Sequence, residues 1–177
     1  IEASKVLNST LDLDKLLVVI LETALKIVHG DRGTVYLLDE AKRELWSKAQ
    51  KDPEVVTIRL PIGKGIAGYV AATGDTLNIG NAYLDPRFNP DVDKKTGYRT
   101  ETILCMPMKN KDGKIIGVFQ LLNKKSGAFT HDDESLIAAL SVHAAIAIEN
   151  ARLYEEEKKF LHMREEVRLA AKIQHDL

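Results

Sequence analysis

The groups in this chain equipped to ligate a metal, attack a carbonyl or relay a proton are five histidines, one cysteine and 26 carboxylates. Their spacing argues against catalysis. His29, His131, His143, His162 and His175 include no pair at metal-ligand spacing, and four of them sit on or beside segments of helical periodicity. Cys105 lies in the apolar run Ile103-Leu104-Cys105-Met106, where a thiol reads as a small hydrophobe rather than a nucleophile. Alone it makes neither an internal disulfide nor a thiolate cluster. There is no nucleophile elbow and no phosphate loop with Lys followed by Ser or Thr, and the carboxylates are mostly interleaved with lysines.

Binding chemistry is better represented. In Pro61-Ile62-Gly63-Lys64-Gly65-Ile66-Ala67-Gly68 the three glycines let the backbone pass close to a bound group. A helix starting near Ile66 would aim free N–H groups and its positive dipole end at an anion such as a phosphate. The same glycines serve equally well in a sharp strand-to-helix turn with no ligand, and spacing does not choose between the two.

The elements that would position this bend follow from periodicity. Asp12 can cap a helix in which Leu13, Leu16, Leu17, Ile20, Ala24, Ile27 and Val28 share a face, with Gly30 as its stop. Residues 1–12 form the preceding linker helix in this reading. Residues 34–38, 44–49 and 55–60 read as strands, 66–72 as a short helix closed by Gly74, and 77–79 as extended. The polar stretch 80–100, with Pro86, Pro90 and Gly97, suggests a lid containing a short helix. Residues 103–109 and 114–122 form a hairpin around Lys111-Asp112-Gly113. Thr130 or Asp132 then caps a largely apolar helix. From Leu153 on, Phe160, Met163, Val167, Ala170 and Leu177 lie on a 3-4 seam among charged residues, which predicts a coiled-coil linker helix over 153–177.

The run Leu60 to Glu134 places the glycine-rich bend, Ile103-Leu104-Cys105-Met106-Pro107-Met108, Asn123-Lys124, Phe129 and Asp133-Glu134 in one order. That order resembles the GAF family, small sensor domains that hold a ligand over one face of an antiparallel sheet. The last part looks like the N-K…F-x-x-x-D-E signature of its cyclic-nucleotide-binding branch. The resemblance covers roughly residues 13–152. It implies an α/β (α+β) fold: a central antiparallel sheet, helices packed on one face, a ligand pocket on the other, and long N- and C-terminal helices.

Carried over position by position, the resemblance implies pocket residues Thr34, Gln50, Lys51, Ile66, Ala67, Asn89, Asp93, Thr96, Thr100 and Gln120, with cAMP or cGMP as candidate ligands and no certain cofactor. It gives Asn123, Lys124, Phe129 and Asp133 a supporting role, with Lys124 and Asp133 able to pair. Asp and Thr residues of the lid also cap their own backbone readily. Where the family often has an aromatic followed by Asp, this chain has Gln50-Lys51, and Gln120 replaces an acid, which removes a stacking surface and a charge. The cysteine chemistry of related methionine-sulfoxide reductases and bilin photoreceptors does not carry over, since one buried-type thiol lacks the partners or exposure it requires.

The tail Arg168-Leu169-Ala170-Ala171-Lys172-Ile173-Gln174-His175-Asp176-Leu177 looks like the leading segment of bacterial sigma-factor-regulator-type serine phosphatases. By that likeness the chain is a sensor fragment controlling a serine phosphatase output domain, itself without catalytic residues. The rival expectation is a ligand-free dimerisation module that aligns output domains. A homodimer through the terminal helices fits both. With 25 basic and 26 acidic residues there is no global field to draw nucleic acid. The longest uninterrupted apolar run, Leu16–Leu21, falls short of the ~20 residues of a membrane span. No signal-peptide layout opens the chain, so a cytoplasmic location is expected.

Overall fold

The computed structural model describes residues 12–51 and 54–176, so the expected helix over 1–12 lies, apart from Asp12, outside the described residues. The first helix, α1 (Leu13–Val28), starts where the Asp12 carboxylate accepts from the N–H groups of Asp14 and Lys15 at 2.9 and 3.3 Å. It ends at His29, which takes the left-handed conformation at φ 55° and donates its N–H to the Leu25 carbonyl. Gly30 is therefore not the stop expected from the sequence; it opens the first strand. A Cβ there would sit 2.9 Å from Leu25 Cδ2, a contact that a turn of the leucine side chain can relieve, so the strand passes close beneath the helix without strictly requiring glycine.

Six strands follow: β1 (Gly30–Asp39), β2 (Glu44–Lys51), β3 (Glu54–Pro61), β4 (Leu77–Ile79), β5 (Ile103–Lys109) and β6 (Ile115–Lys124). They form one sheet in the order β3-β2-β1-β6-β5-β4, every neighbouring pair antiparallel. The hairpin strand β6 runs to Lys124, two residues past its expected end, with a register irregularity opposite Met108 and Lys109. Between β3 and β4 lies α2 (Gly65–Thr73), closed by Gly74 at φ 76°. Between β4 and β5 a lid carries a 3₁₀ turn (Ala82–Leu84) and a short helix, α3 (Asp91–Thr96).

Strand alternation sorts the sheet's side chains onto two faces. Val35, Leu37, Leu104, Met106, Met108, Phe119 and Leu121 meet the buried stripes of α1 and of the last helix, α4 (His131–Asp176). Fully burying side chains of this size contributes about 1.5–3 kcal/mol each, so tertiary packing rather than helix propensity holds α1 in place. On the other face Tyr36, Ile103, Cys105 and Val118 are covered by Ile66, Ala67, Val70 and Ala71 of α2 and by Ala82 and Phe88 of the lid.

The closest backbone approach is at Gly117, opposite Leu37 across β1 and β6. A Cβ there would lie 2.4 Å from the Tyr36 carbonyl oxygen. Gly117→Ala is expected to force the two central strands apart and cost about 1–3 kcal/mol, the usual range for overpacking. A urea midpoint indistinguishable from that of the parent protein would refute this.

Helix α4 begins with a reciprocal cap: Asp133 N–H donates to Thr130 Oγ1 at 3.1 Å, and Thr130 N–H donates to Asp133 Oδ2 at 2.8 Å. It continues without a break for 46 residues. The linker helix expected over 153–177 is thus the second half of one helix that is rooted in the core through Ile137, Leu140, Ala144, Ile148 and Ala151. Beyond Ala151 its large apolar residues, Leu153, Phe160, Met163 and Val167, are exposed. A window of α4 reaches a mean hydropathy of 1.4, long and apolar enough by composition to span a membrane, a signal that an uninterrupted-run test overlooks. In this fold part of that hydrophobicity is already used in the core, where 44% of the window is buried.

Candidate functional site

The glycine-rich bend resolves into three separate demands. Gly63 and Gly65 adopt φ of 93° and 69°, and Cβ atoms there would meet nothing within 4 Å. Gly68 is needed for contact, since its Cβ would lie 2.8 Å from the Pro61 carbonyl, and its own carbonyl accepts the Gly63 N–H at 2.9 Å. The turn accounts for all three glycines through backbone geometry. Ile66 and Ala67 at the start of α2 are 5% and 2% exposed and pack in the same cluster as Tyr36, Cys105 and Val118.

Thr34 and Gln120 lie directly opposite each other across β1 and β6, and Cys105 faces Gln120 from β5. Alternation puts all three on the face covered by α2 and the lid, in the row next to Tyr36. Burial pushes the Tyr36 phenol above its ordinary value, with a bond to the Thr34 hydroxyl opposing this. Burial alone pushes the Cys105 thiol far upward, leaving it protonated and inert at neutral pH. Gln50 and Lys51 are on β2, where the strand register is defined, but their side chains lie outside the described residues.

The lid is organised around Asp93, which is 7% exposed. Its carboxylate accepts from the Tyr83 hydroxyl at 2.7 Å and from the N–H and hydroxyl of Thr100 at 2.8 Å each. Burial pushes the Asp93 pKa up, but the Thr100 and Tyr83 donors and the nearby Arg99 outweigh it and hold the group below its ordinary value. Asp93 and Thr100 are thus joined in a clasp. The other two lid positions use their polar atoms locally: Asn89 Oδ1 accepts the Asp91 N–H at 3.0 Å, and the Thr96 hydroxyl donates to the Val92 carbonyl at 2.9 Å.

A second anchor holds the lid's exit. Asn123, at φ 55°, accepts the N–H groups of Glu101 (2.7 Å) and Thr102 (3.2 Å) on Oδ1 and donates from Nδ2 to the Tyr98 hydroxyl (2.9 Å) and the Arg99 carbonyl (2.8 Å). Tyr98 in turn donates to Asp31 at 2.7 Å, while the Arg32 guanidinium lies 4.1 Å over its ring. Burial first, and then the Asp31 carboxylate, push the Tyr98 phenol up to about 12. Next to Asn123, Lys124 Nζ lies 2.5 Å from Asp133 Oδ2 and also donates to the Val28 carbonyl at 3.2 Å, with both side chains nearly buried. This pair joins the end of α1, the end of β6 and the start of α4. Phe129 between them is a core residue, 4% exposed.

Residues 12–148 match the GAF domain family. The chain belongs to that family. Among curated relatives, this GAF domain is 38% identical over 169 residues to a probable 3′,5′-cyclic phosphodiesterase, pde-5, of Caenorhabditis elegans, covering 89% of the chain and 23% of the relative. It is 40% identical over 172 residues to a dual 3′,5′-cyclic-AMP and -GMP phosphodiesterase 11A of Takifugu rubripes, covering 90% of the chain and 19% of the relative. The chain therefore spans about a fifth of the length of these relatives. Among solved structures it is similar to free methionine-R-sulfoxide reductase of Neisseria meningitidis, at 20% identity and a TM-score of 0.69 over 86% of this chain and 87% of that one. That last likeness is one of fold alone.

Sequence reasoning did not find Tyr83, Tyr98, Arg99 or Asp31, which build the lid clasps of the GAF domain. No local spacing marks them, because Asp31 and Tyr98 stand 67 positions apart. Two well-formed grooves among the described residues lie away from the Gly63–Gly68 bend. One, of about 480 Å³, lies where the lid rejoins the sheet, between Asn81, Arg99, Glu101 and Lys125. The other, of about 390 Å³, lies at the root of the projecting half of α4, beside Trp46, Lys114, Arg152 and Glu156. On the face expected to hold the pocket, α2, Ala82 and Phe88 cover apolar side chains such as Val118 that would otherwise face water, while Thr34 and Gln120 stay partly exposed.

Proposed function

We propose that this GAF domain is a regulatory sensor, without catalysis of its own, that binds a 3′,5′-cyclic nucleotide on the sheet face bearing Thr34 and Gln120. The observation that carries this reading is the lid: residues 80–102, folded over that face, knitted within itself by the Asp93 clasp and tied to the sheet by Asn123 and by the Tyr98–Asp31 bond. The relatives named as cyclic-nucleotide phosphodiesterases supply the ligand class. In the described conformation lid and α2 side chains cover Tyr36, Cys105 and Val118 on this face while Thr34 and Gln120 stay partly exposed, so a ligand must displace part of that cover. Its apparent affinity is lowered by the fraction of time the lid is open, and its binding shifts that fraction. Ile66, Ala67, Asn89, Asp93, Thr96, Thr100 and Gln120, with Gln50 and Lys51, are the proposed contacts once the lid rearranges. The change would reach an output domain through α4, which the tail's likeness makes a serine phosphatase.

Titration calorimetry with cAMP and cGMP tests this directly, and no heat with either at high micromolar concentration rejects it. Asp93→Ala removes the clasp acceptor and is expected to change the affinity for the preferred nucleotide at least tenfold, or about 1.4 kcal/mol.

A second reading rests on the exposed row Leu153, Phe160, Met163 and Val167 on α4, which fits a helix partner in a homodimer that aligns output domains. If regulation of a longer protein survives Asp93→Ala with Thr100→Ala but fails with Phe160→Glu, this interaction reading replaces the first.

A further inference from the structure

The groove at the lid's exit points to a site separate from the sheet face: we propose that it binds a phosphorylated, hydroxyl-bearing small molecule. Its volume of about 480 Å³ lies within the range of small-ligand sites, roughly 300–1,000 Å³. Its two banks carry opposed cations. Arg99 stands on the lid side with its guanidinium 3.7 Å over the Tyr83 ring. Stacking occupies the face of the guanidinium and a hydrogen bond to the Tyr83 side chain uses part of its fork, which leaves its remaining N–H groups for an oxyanion. Lys125 stands on the other bank, in the connection from β6 to α4. Among the described residues neither Arg99 nor Lys125 has a carboxylate within 4.0 Å, although Arg99 is near enough to Asp93 to help hold its carboxyl in the charged form.

The rest of the lining sorts by chemistry. Lys124 also borders the groove, but its charge is matched by Asp133. Glu101 is the single acid of the lining; it repels a bare polyanion and accepts from a hydroxyl, as does Asn81. Gly80, Gly127 and Ala128 keep the walls low enough for close approach. The floor is already rigid, because Asn123 ties Glu101, Thr102 and Arg99 to β6. An occupant bridging Arg99 and Lys125 would link the lid's exit to the root of α4, the two parts a sensor must couple.

The test is a ¹H–¹⁵N NMR titration of the whole chain with glycerol 3-phosphate at constant ionic strength, with glycerol and sodium chloride as controls. Saturable shifts confined to 80–81, 99–102 and 123–128, weakened about tenfold by Arg99→Ala and by Lys125→Ala, are expected, the size of effect that loss of a charge-assisted contact gives. Both residues are exposed, so these variants retain the fold. Shifts that grow linearly, that chloride reproduces, or that both substitutions leave unchanged overturn the proposal. Displacement of the signal by cAMP or cGMP overturns the claim of a separate site, whereas absence of cyclic-nucleotide binding leaves it standing.

Discussion

Lys124→Ala is expected to destabilise the domain by about 3–5 kcal/mol at neutral pH, the cost of leaving one member of a buried ion pair without its partner. Lys124 and Asp133 are 11% and 7% exposed in their side chains, so solvent cannot replace the lost ammonium. Burial pushes the Asp133 pKa up, but Lys124 and the Thr130 cap more than reverse this, and the carboxyl sits below its ordinary value. A depressed carboxylate contributes stability that is present above its unfolded value, about 3.9, and lost as pH falls through the lower folded one. In the variant that carboxylate is buried and unpaired, so acid relieves it. The gap between parent and variant should therefore be wide at pH 7 and narrow toward pH 4. Urea denaturation at the two values checks both statements; a loss below about 1 kcal/mol at pH 7, the size of a surface pair, would mean that water reaches the junction. Lys124→Met combined with Asp133→Leu should recover part of the loss, because an apolar pair carries no desolvated charge but leaves the Thr130 N–H and Val28 carbonyl without these partners.

Asn123→Ala should release the lid's exit and lower stability by about 2–3 kcal/mol. It strands the Thr102 N–H, at about 1–3 kcal/mol for a buried group left unpaired, while the exposed Arg99 carbonyl turns to water, and it sets a Cβ-bearing residue without a compensating side-chain bond at φ 55°. Asn123→Gly separates the two contributions, since glycine accepts the backbone conformation but supplies no amide. Hydrogen exchange gives the local reading: the Glu101 and Thr102 amides should lose protection in both variants while Leu104 and Met106 in β5 keep theirs. Unchanged protection at 101 and 102 would show that the lid is held without Asn123. The Asp93 clasp, the Tyr98–Asp31 bond and the Arg87–Tyr69 contact would then carry the lid, and Asp93→Ala would become the more damaging change.

The two anchors differ in how far they can be read from the chain. Asn123 and Lys124 stand in a recognisable order with Phe129 and Asp133, so a family resemblance draws attention to them, and the Lys-to-Asp spacing spans one tight connection from strand to helix. Asp93 and Thr100 are also close in sequence, and the local alternative for such residues, capping their own segment, is how their oxygens are used in the described conformation. Tyr83, Tyr98 and Asp31 carry no signal of that kind. The Tyr98–Asp31 bond depends on where the lid comes to rest across the sheet, which no window of neighbouring residues encodes, and Tyr83 meets Asp93 only once the lid has folded on itself.

Residue order alone determined the succession of elements in this protein, because the 3.6-residue and two-residue repeats, the Asp12 cap and the turn at Gly113 are local and compete with nothing distant. It also determined membership of the GAF family, since the bend, the hairpin and the Asn123-to-Glu134 signature fall in one sequence. Only the tertiary structure decided that α4 is one unbroken helix from the core to the projecting seam, that His29 rather than Gly30 ends the first helix, and that hydrocarbon from α2 and the lid covers much of the proposed binding face. Those outcomes come from burial, which is settled between segments far apart in the chain: an apolar sheet face left open to water is closed by whichever side chains can reach it.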